Sequence, residues 1–263
     1  MSAPVFLSDG AADARPGGVI AVTGDEARHA VTVQRRAVGE AIEVVDGAGQ
    51  RATGEIVEAG PDRMLVRVER VSRDDDPAVV LVQALAKGGR DEQAVESSVE
   101  LGATRIVPWA ASRSIVQWRG PKADKARAKW QSLAAAATKQ SRRALLPAVD
   151  PLVTTAELVR RVREAVADGD RVLVLHESAT RGLATLTWDE SPGAVWLVVG
   201  PEGGISDDEL AALADSGAEV VVLGPHVLRA STAGPAAMAA LAVARGHWST
   251  TGAADDPADG GIR

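Results

Sequence analysis

Two glycine-rich loops are the parts of this chain best suited to bind a ligand. The first follows an uninterrupted apolar run at residues 194–199 and contains Gly200, Gly203 and Gly204. Because glycine has no Cβ, the backbone at these positions can turn sharply and lie directly against a bound molecule. The chemistry expected here is recognition by main-chain N–H and C=O groups.

A second loop of the same kind follows further along the chain. Residues 218–223 form another apolar run, and residues 224–233 then contain Gly224 and the permanently charged Arg229. Two parallel strands that end in such loops place them side by side at the carboxyl edge of a sheet, where open α/β folds bind ligands. One glycine-rich loop alone could be an ordinary strand-to-helix connection, and the pairing of two favours a binding site.

Two common nucleotide-binding motifs do not account for these loops. The chain has no G-x-x-x-x-G-K-[S/T] sequence, and residues 200–204 lack the lysine and the spacing of a phosphate-binding loop. Residues 47–52 match the dinucleotide fingerprint, but strand-like runs at residues 41–45 and 52–57 flank them. A hairpin turn is therefore the better interpretation of residues 47–52.

The elements that must position the loops change character along the chain. The first part has short strand-like segments separated by Gly, Asp and Pro turns, which predicts a small β-barrel interrupted by one helix at residues 25–34. Its predicted strands are residues 19–22, 41–45, 54–57 and 64–71. Residues 74–77, three aspartates and a proline, are the best candidate for a linker.

After this linker, strands and helices alternate, which predicts a parallel sheet covered by helices on both faces. The predicted strands are residues 79–86, 105–109, 171–176, 194–199 and 219–223. The predicted helices are residues 90–101, 122–142, 155–167 and 233–245. A capping box of Ser206 and Glu209 predicts the start of one more helix. The predicted fold class is α/β.

Composition restricts the classes of function. A length of 263 residues suits a small domain plus a larger one, and the formal charge of −7 argues against nonspecific coating of nucleic acid. A local basic patch is still present, since residues 122–143 hold seven Lys or Arg and one acid. Trp118 and Trp130 in or near this stretch could stack on RNA bases, although each is more readily explained as a core residue.

The chain has no cysteine and only four scattered histidines, so we expect no disulfide and no metal site. No segment has the pattern of a signal peptide or the length of a membrane span, so we expect no membrane association and a cytoplasmic location. Residues 250–263 are rich in Gly, Ala and Asp and are predicted to be disordered.

The two loops carry a resemblance to a known family. Residues 200–204 (GPEGG) and 223–233 (LGPHVLRASTA) are similar to the C-terminal signature of the RsmE family, bacterial 16S ribosomal RNA (uracil-N3)-methyltransferases of the SPOUT class. Further matching segments follow the family's order: residues 29–36, 83–87, 100–108, 112–114 and 140–143. The resemblance covers about residues 5–248.

This resemblance implies an architecture and a set of partners. Residues 1–73 would form a PUA-like β-barrel that binds RNA, and residues 78–249 a SPOUT methyltransferase domain with a C-terminal trefoil knot. The last helix, rich in small residues, would form a homodimer. The substrate would be 16S ribosomal RNA within the 30S subunit.

The resemblance also implies S-adenosyl-L-methionine as cofactor, bound among three loops. The expected cofactor contacts are His176, Val199, Gly200, Glu202, Gly203, Gly204, Leu223, Gly224, Leu228, Thr232 and Ala233. Thr232 is also expected to cap the last helix. The expected RNA contacts are His29, Arg35, Arg36, Arg113, Lys139, Arg142 and Arg143.

Uracil N3 carries a proton and is a poor nucleophile until that proton leaves, so two residues are expected to act on the reacting base. Arg229 could stabilise the anionic uracil through its carbonyl oxygens. Glu202 could be a base if burial raises its pKa, or could cap a neighbouring helix or orient its loop. Two alternatives stay open: a SPOUT ribose 2′-O-methyltransferase, and a noncatalytic RNA-binding or ribosome-assembly factor.

Overall fold

Two separate β-sheets organise the chain. The computed structural model describes residues 3–188 and 192–248. The first sheet has the strand order β1-β3-β4-β5-β2, with β1 parallel to β3 and the other pairs antiparallel. Its strands are β1 (Val5–Leu7), β2 (Val19–Thr23), β3 (Ala41–Val45), β4 (Gln50–Ala59) and β5 (Arg63–Arg73).

The turn between β3 and β4 confirms the hairpin interpretation. The two strands pair antiparallel from Ala41 opposite Glu55 to Val45 opposite Arg51. Inside the turn, the Asp46 carboxylate accepts the backbone N–H groups of residues 48 and 50 at 2.7 and 2.9 Å. Because the Asp46 side chain accepts the N–H groups of its own turn, these groups are not available to bind a nucleotide.

The second sheet is entirely parallel and has the strand order β12-β10-β11-β6-β7-β8, with β9 also paired to β7. Its strands are β6 (Val79–Ala84), β7 (Arg105–Ala110), β8 (Ala148–Val149), β9 (Val153–Thr154), β10 (Arg171–Leu175), β11 (Val195–Val199) and β12 (Glu219–Val221). The helices are α1 (Gly24–Arg28), α2 (Arg90–Glu100), α3 (Pro121–Gln140), α4 (Thr155–Ala167), α5 (Asp207–Asp215) and α6 (Ala230–Ala244).

Both faces of the parallel sheet are covered, which confirms the predicted fold class. Leu81 of β6 lies in a core with α2, α3 and α6, whereas its neighbour Val82 lies in a second core with α4 and α5. Successive side chains of a strand point to opposite faces, so a strand between two helical layers must be apolar throughout. All residues of β6 and β11 are buried.

Several predicted elements differ from the structure in detail. The helix predicted at residues 25–34 is α1 followed by a π-helical turn at His29–Val33. Strands β1, β8 and β9 were not predicted, because two or three residues are too few to show an alternating pattern. Helix α6 begins at Ala230, three residues before the predicted start. Residues 250–263, predicted to be disordered, lie outside the described residues.

The predicted linker at residues 74–77 joins the two sheets but is anchored by its carboxylates. Asp74 accepts hydrogen bonds from the Arg51 guanidinium at 2.6 Å and from the backbone N–H of Ala144 at 3.1 Å. Asp76 pairs with Arg143 at 2.8 Å. The division into residues 1–73 and 78–249 stays a prediction, as does the trefoil knot, which strand order does not establish.

None of the described helices combines the length and apolarity needed to cross a membrane.

Candidate active site

Three loops meet at the carboxyl edge of the parallel sheet, as the resemblance implies. They follow β10, β11 and β12, which are neighbours in the strand order. Two adjoining cavities of about 360 and 420 Å³ lie among them. Both cavities are lined by Leu175, His176, Glu177, Val227, Leu228 and Ala233. The arrangement is a cleft wide enough for a nucleoside-sized molecule.

The predicted cofactor residues almost all line this cleft. The smaller cavity is bounded by Val199, Gly200, Glu202, Gly203, Gly204 and Arg229, and the larger by Leu223 and Gly224. Thr232 is the exception, since it is exposed on the first turn of α6 and lines neither cavity. The prediction that Thr232 caps α6 is wrong, because the N-cap residue is Arg229 and no side chain caps this helix.

The loop after β11, residues 200–205, is packed so closely that two of its glycines have no room for a side chain. A Cβ on Gly203 would lie 2.9 Å from the Arg113 Cβ and 3.1 Å from its carbonyl oxygen. A Cβ on Gly200 would lie 2.7 Å from Ile205 Cγ1. Gly204 is required for a second reason, a φ of +73° that disfavours other residues. We call this segment the cofactor loop.

Glu202 projects from the cofactor loop toward the start of α2. One of its carboxylate oxygens accepts the backbone N–H of Lys87 at 3.1 Å and a guanidinium N–H of Arg90 at 3.0 Å. Both donors hold the carboxylate in this position. These contacts favour the orienting role among the alternatives for Glu202, because they tie the cofactor loop to the loop that follows β6. Arg90 also lines the smaller cavity, and sequence reasoning missed it.

Arg229 stands at the rim of the smaller cavity, immediately before α6. Its carbonyl accepts the N–H groups of Thr232 at 2.8 Å and Ala233 at 3.0 Å, so the backbone is fixed by the first turn of the helix. Among the described residues no acidic side chain forms an ion pair with Arg229. An exposed guanidinium at a helix N-terminus, where the partial charge is also positive, suits an anionic group.

The loop after β12 offers unpaired backbone donors to a ligand. The N–H groups of Gly224 and of residues 226–228 find no acceptor within residues 3–188 and 192–248. Apolar side chains of Leu223 and Leu228 lie beside them. Unpaired N–H groups next to an apolar wall fit the polar edges and flat faces of an adenine ring.

Glu209 lies behind the cofactor loop, in the first turn of α5, and the predicted capping box is confirmed. The Ser206 side chain accepts the Glu209 N–H, and the Glu209 carboxylate accepts the Ser206 N–H at 3.1 Å. Glu209 is also buried, at 5% exposure. Burial alone would raise its pKa, but hydrogen bonds from Ser112, Thr155 and Ser206 outweigh that effect and leave the pKa below its ordinary value. The contacts with Ser112 and Thr155 could not be predicted from local spacing, because both residues are distant from Glu209 in the chain.

Five of the seven predicted RNA-contact residues fall into two groups. In the first group, a carboxylate holds the basic side chain: Lys139 pairs with Glu26 at 2.6 Å and Arg36 with Glu40 at 2.9 Å. In the second group the side chain is exposed to solvent: Arg35, Arg113 and Arg142. His29 is half-buried and hydrogen bonded to Gln34 at 2.9 Å.

Arg35 and Arg142 share an uncommon backbone conformation. Their φ angles are +56° and +58°, and they are the only non-glycine residues with positive φ in the described parts of the chain. Arg142 directly follows the C-cap of α3, a position at which helices usually place glycine. Arginine is less stable than glycine in this conformation, so the backbone at Arg142 is strained.

Arg143 does not belong to the exposed basic surface. Arg143 is 8% exposed, and its guanidinium donates to the carbonyl oxygens of Val99 at 2.7 Å and Ala103 at 2.8 Å, besides the carboxylate of Asp76. These hydrogen bonds use the guanidinium to connect the C-terminal end of α2 with the linker. The expectation that Arg143 binds RNA is therefore at odds with its position.

Trp118 and Trp130 are packed against each other edge to face, with ring centroids 5.0 Å apart, and Trp130 is fully buried. This favours the core interpretation of the tryptophans. Within the described residues no group of three or more His, Asp or Glu is arranged to hold a metal ion.

Two known domain families match the chain, one in the region of each sheet. Residues 74–242 match the RNA methyltransferase domain, and residues 22–69 match the RNA methyltransferase PUA domain. The fold and the site thus define an RNA methyltransferase of the SPOUT class, preceded by a PUA-like domain.

Individual relatives narrow this class. The ribosomal RNA small subunit methyltransferase E of Mycobacterium bovis is 44% identical over 250 residues, 94% of either chain. The Bacillus subtilis protein of the same name is 28% identical over 84% of this chain and 88% of its own. This chain belongs to the ribosomal RNA small subunit methyltransferase E family, which confirms the resemblance.

Similar solved structures support the same family. The family member from Neisseria gonorrhoeae, bound to S-adenosyl methionine, has a TM-score of 0.81 and 27% identity, covering 92% of this chain and 98% of that one. A putative methyltransferase from Legionella pneumophila, in complex with the same cofactor, has a TM-score of 0.78 and 28% identity, covering 93% and 98%.

Proposed function

We propose that this protein transfers a methyl group from S-adenosyl-L-methionine to N3 of a uracil in the 16S ribosomal RNA of the 30S subunit. The observation that carries the proposal is the meeting of three loops around one cleft, with the guanidinium of Arg229 at its rim. The family and the cofactor bound in two solved relatives supply the reaction class.

The residues of the cleft fit the cofactor. The unpaired N–H groups of Gly224 and residues 226–228 would bind the adenosine, and Leu223 and Leu228 would cover the faces of the adenine. The tight turn at Gly203 and Gly204 leaves main-chain groups of the cofactor loop close to the ligand. When bound, S-adenosyl-L-methionine supplies a methyl group that is transferred by in-line displacement, so alignment of the two reactants is the main requirement.

Arg229 is proposed to act on the uracil. Loss of the N3 proton leaves a negative charge shared by the two neighbouring carbonyl oxygens, and a guanidinium can bind such a charge with two parallel N–H groups. Arg229 is suited to this because no carboxylate of the described residues neutralises it and because the N-terminus of α6 adds positive potential. A preorganised donor of this kind contributes about a hundredfold or more in rate.

Glu202 is proposed to orient the cofactor loop. Its contacts with the Lys87 N–H and the Arg90 guanidinium hold the loop against the start of α2, next to the smaller cavity. The proposal therefore assigns to Glu202 the alternative role of loop orientation, with Arg229 as the residue that contacts the base.

The RNA is proposed to contact both parts of the chain. Arg35 lies in the PUA-like part, and Arg113 and Arg142 lie in the methyltransferase part. All three are exposed and available for phosphates. The name of the relatives and the match to an RNA methyltransferase PUA domain support RNA contacts in both parts of the chain.

A homodimer is proposed to form through α6. One face of this helix is buried against the sheet, including Ala237, Met238 and Leu241. The opposite face is also apolar but only partly covered in the single chain, and Val243 is 66% exposed. A small-residue helix face of this kind permits close packing against a second copy, and light scattering during gel filtration would measure the mass.

The decisive experiment is methyl transfer from labelled S-adenosyl-L-methionine to 30S subunits from cells that lack the modification, with the product nucleoside identified by mass spectrometry. The wild type is compared with Arg229→Ala and with the matched control Arg160→Ala, an exposed arginine on α4 away from the cleft. We expect 3-methyluridine from the wild type and the control, and at least a hundredfold loss in kcat/KM for Arg229→Ala.

The same experiment separates the alternatives. A methyl group on the ribose would identify a 2′-O-methyltransferase and contradict the assignment to uracil N3. Absence of cofactor binding in calorimetry would contradict both enzyme assignments and favour a noncatalytic RNA-binding factor.

A further inference from the structure

The carboxylate of Glu209 joins three segments that are far apart in the sequence. Its oxygens accept five hydrogen bonds: from the Ser112 N–H and hydroxyl at 2.8 Å each, from the Thr155 hydroxyl at 2.7 Å, and from the Ser206 N–H and hydroxyl at 3.1 and 2.9 Å. Ser112 follows β7, Thr155 begins α4, and Ser206 precedes α5. These donors saturate a buried side chain.

A second capping box in the chain shows how much of this arrangement is local. At the start of α4, Glu157 accepts the Thr154 N–H and hydroxyl at 2.8 and 2.9 Å, as Glu209 does with Ser206. Glu157 is exposed and accepts no hydrogen bond from another segment of the described chain. Helix capping therefore accounts for the contacts of Glu209 with Ser206, but not for those with Ser112 and Thr155.

The contacts with Ser112 fix the position of the neighbouring residue, Arg113. The backbone of Arg113 lies against Gly203 so closely that no Cβ would fit there, and an Arg113 guanidinium N–H donates to the Gly203 carbonyl at 3.3 Å. Glu209 thus holds Arg113 beside the cofactor loop from behind, without lining either cavity itself.

Only a carboxylate satisfies all five donors. Replacement by glutamine would turn an NH₂ group toward either the Ser112 N–H or the Ser206 N–H, depending on the side-chain flip, and neither backbone group can act as an acceptor. A buried donor left without a partner has, in general, an effect on the order of tenfold or more. The loop that carries Arg113 would therefore move away from Glu209.

We propose that Glu209 is a positioning residue for the RNA substrate, which holds Arg113 in place beside the cofactor loop so that its guanidinium meets the RNA next to the methyl donor. This inference rests on the proposed function and deepens it. It assigns to a helix-capping carboxylate a role in substrate binding, and it makes Arg113 the exposed basic residue whose position is fixed relative to the cofactor.

The test measures kcat and KM for 30S subunits, cofactor affinity and thermal stability. The variants are Glu209→Gln, the matched control Glu157→Gln, Arg113→Ala, and the double variant Glu209→Gln with Arg113→Ala. Ser112→Ala is a milder change that removes one donor and leaves the carboxylate in place, so it remains informative should Glu209→Gln fold poorly.

We expect Glu209→Gln to raise the KM for 30S subunits about tenfold. Cofactor affinity should change less than threefold, because Glu202 still ties the cofactor loop to Lys87 and Arg90. Ser112→Ala should change KM in the same direction. Glu157→Gln should leave KM unchanged. Because Glu209 is proposed to act through Arg113, adding Glu209→Gln to Arg113→Ala should raise KM less than twofold further.

Three results would overturn the inference. The first is an unchanged KM in Glu209→Gln, with only stability and the active fraction reduced. The second is an increase in KM for Glu157→Gln equal to that for Glu209→Gln. The third is a KM in the double variant raised by the full product of the two single increases. Absence of methyl transfer by the wild type would instead contradict the proposed function, so the two failures are distinguishable.

Discussion

Substitution of Gly203 by alanine tests whether a side chain at this position displaces the cofactor loop from the cleft. The added Cβ would lie 2.9 Å from the Arg113 Cβ and 3.1 Å from the Arg113 carbonyl oxygen. Neither of these atoms is the flexible end of a side chain, so the two segments must separate. The backbone conformation of Gly203 has no positive φ, so steric overlap is the only effect of the methyl group.

The size of the effect follows from this geometry. Overpacking by one methyl group against a rigid neighbour generally costs about 1–3 kcal/mol. Because residues 199–205 line the smaller cavity, displacement of this loop should appear as lost affinity for S-adenosyl-L-methionine. A loss of about 1.4 kcal/mol corresponds to tenfold weaker binding, and we expect at least this much.

Isothermal titration calorimetry of the purified protein with S-adenosyl-L-methionine measures this loss. Gly182→Ala is the matched control, because Gly182 precedes the turn at Leu183–Thr185 with a φ of −76° and its added Cβ would approach nothing closer than 3.8 Å. Gly182→Ala should bind the cofactor within twofold of the wild type. Wild-type affinity in Gly203→Ala would refute the reasoning, because the loop would then accommodate a side chain at this position without moving.

Three further predictions concern charge and backbone strain. Arg142→Gly should raise the free energy of unfolding by about 1 kcal/mol, because glycine accommodates φ +58° without strain, and should also weaken 30S binding and reduce its salt dependence. Arg143→Ala should lower the free energy of unfolding by about 3 kcal/mol, measured by urea denaturation, because it leaves Asp76 unpaired, while 30S affinity per folded molecule stays unchanged. The hydrogen bond from Arg171 lowers the pKa of Glu219 in the folded protein. The ionised Glu219 therefore stabilises the fold fully above the unfolded pKa of about 4.3, and this contribution is lost as the pH falls through the lower folded pKa. Glu219→Gln should therefore reduce the difference in unfolding free energy between about pH 7 and pH 3, and an unchanged difference would contradict this assignment.

Local patterns in the sequence were sufficient to predict most of the elements around the site. The helix α4 was predicted at its observed bounds, and the strand β11 within one residue, because capping residues and continuous apolar runs act over a few positions. The Ser206 and Glu209 capping box was likewise predicted and observed. Gly200 and Gly203 lie in close contact with Ile205 and Arg113 of the same chain, and the approach of these glycines to a bound molecule stays a prediction.

The sequence by itself thus determined the α/β alternation, the two loops at one sheet edge and the family. The tertiary structure decided which side chains are available at that edge. Neighbouring basic residues at positions 142 and 143 look alike in the sequence, yet one is exposed and the other is enclosed by carbonyl oxygens from α2 and its following loop. Likewise, the sequence around Glu209 indicates only a helix cap. The contact with Ser112, 97 residues away in the chain, forms only in the folded structure. The physical reason is that hydrogen bonding and burial depend on neighbours in space, which local spacing does not specify.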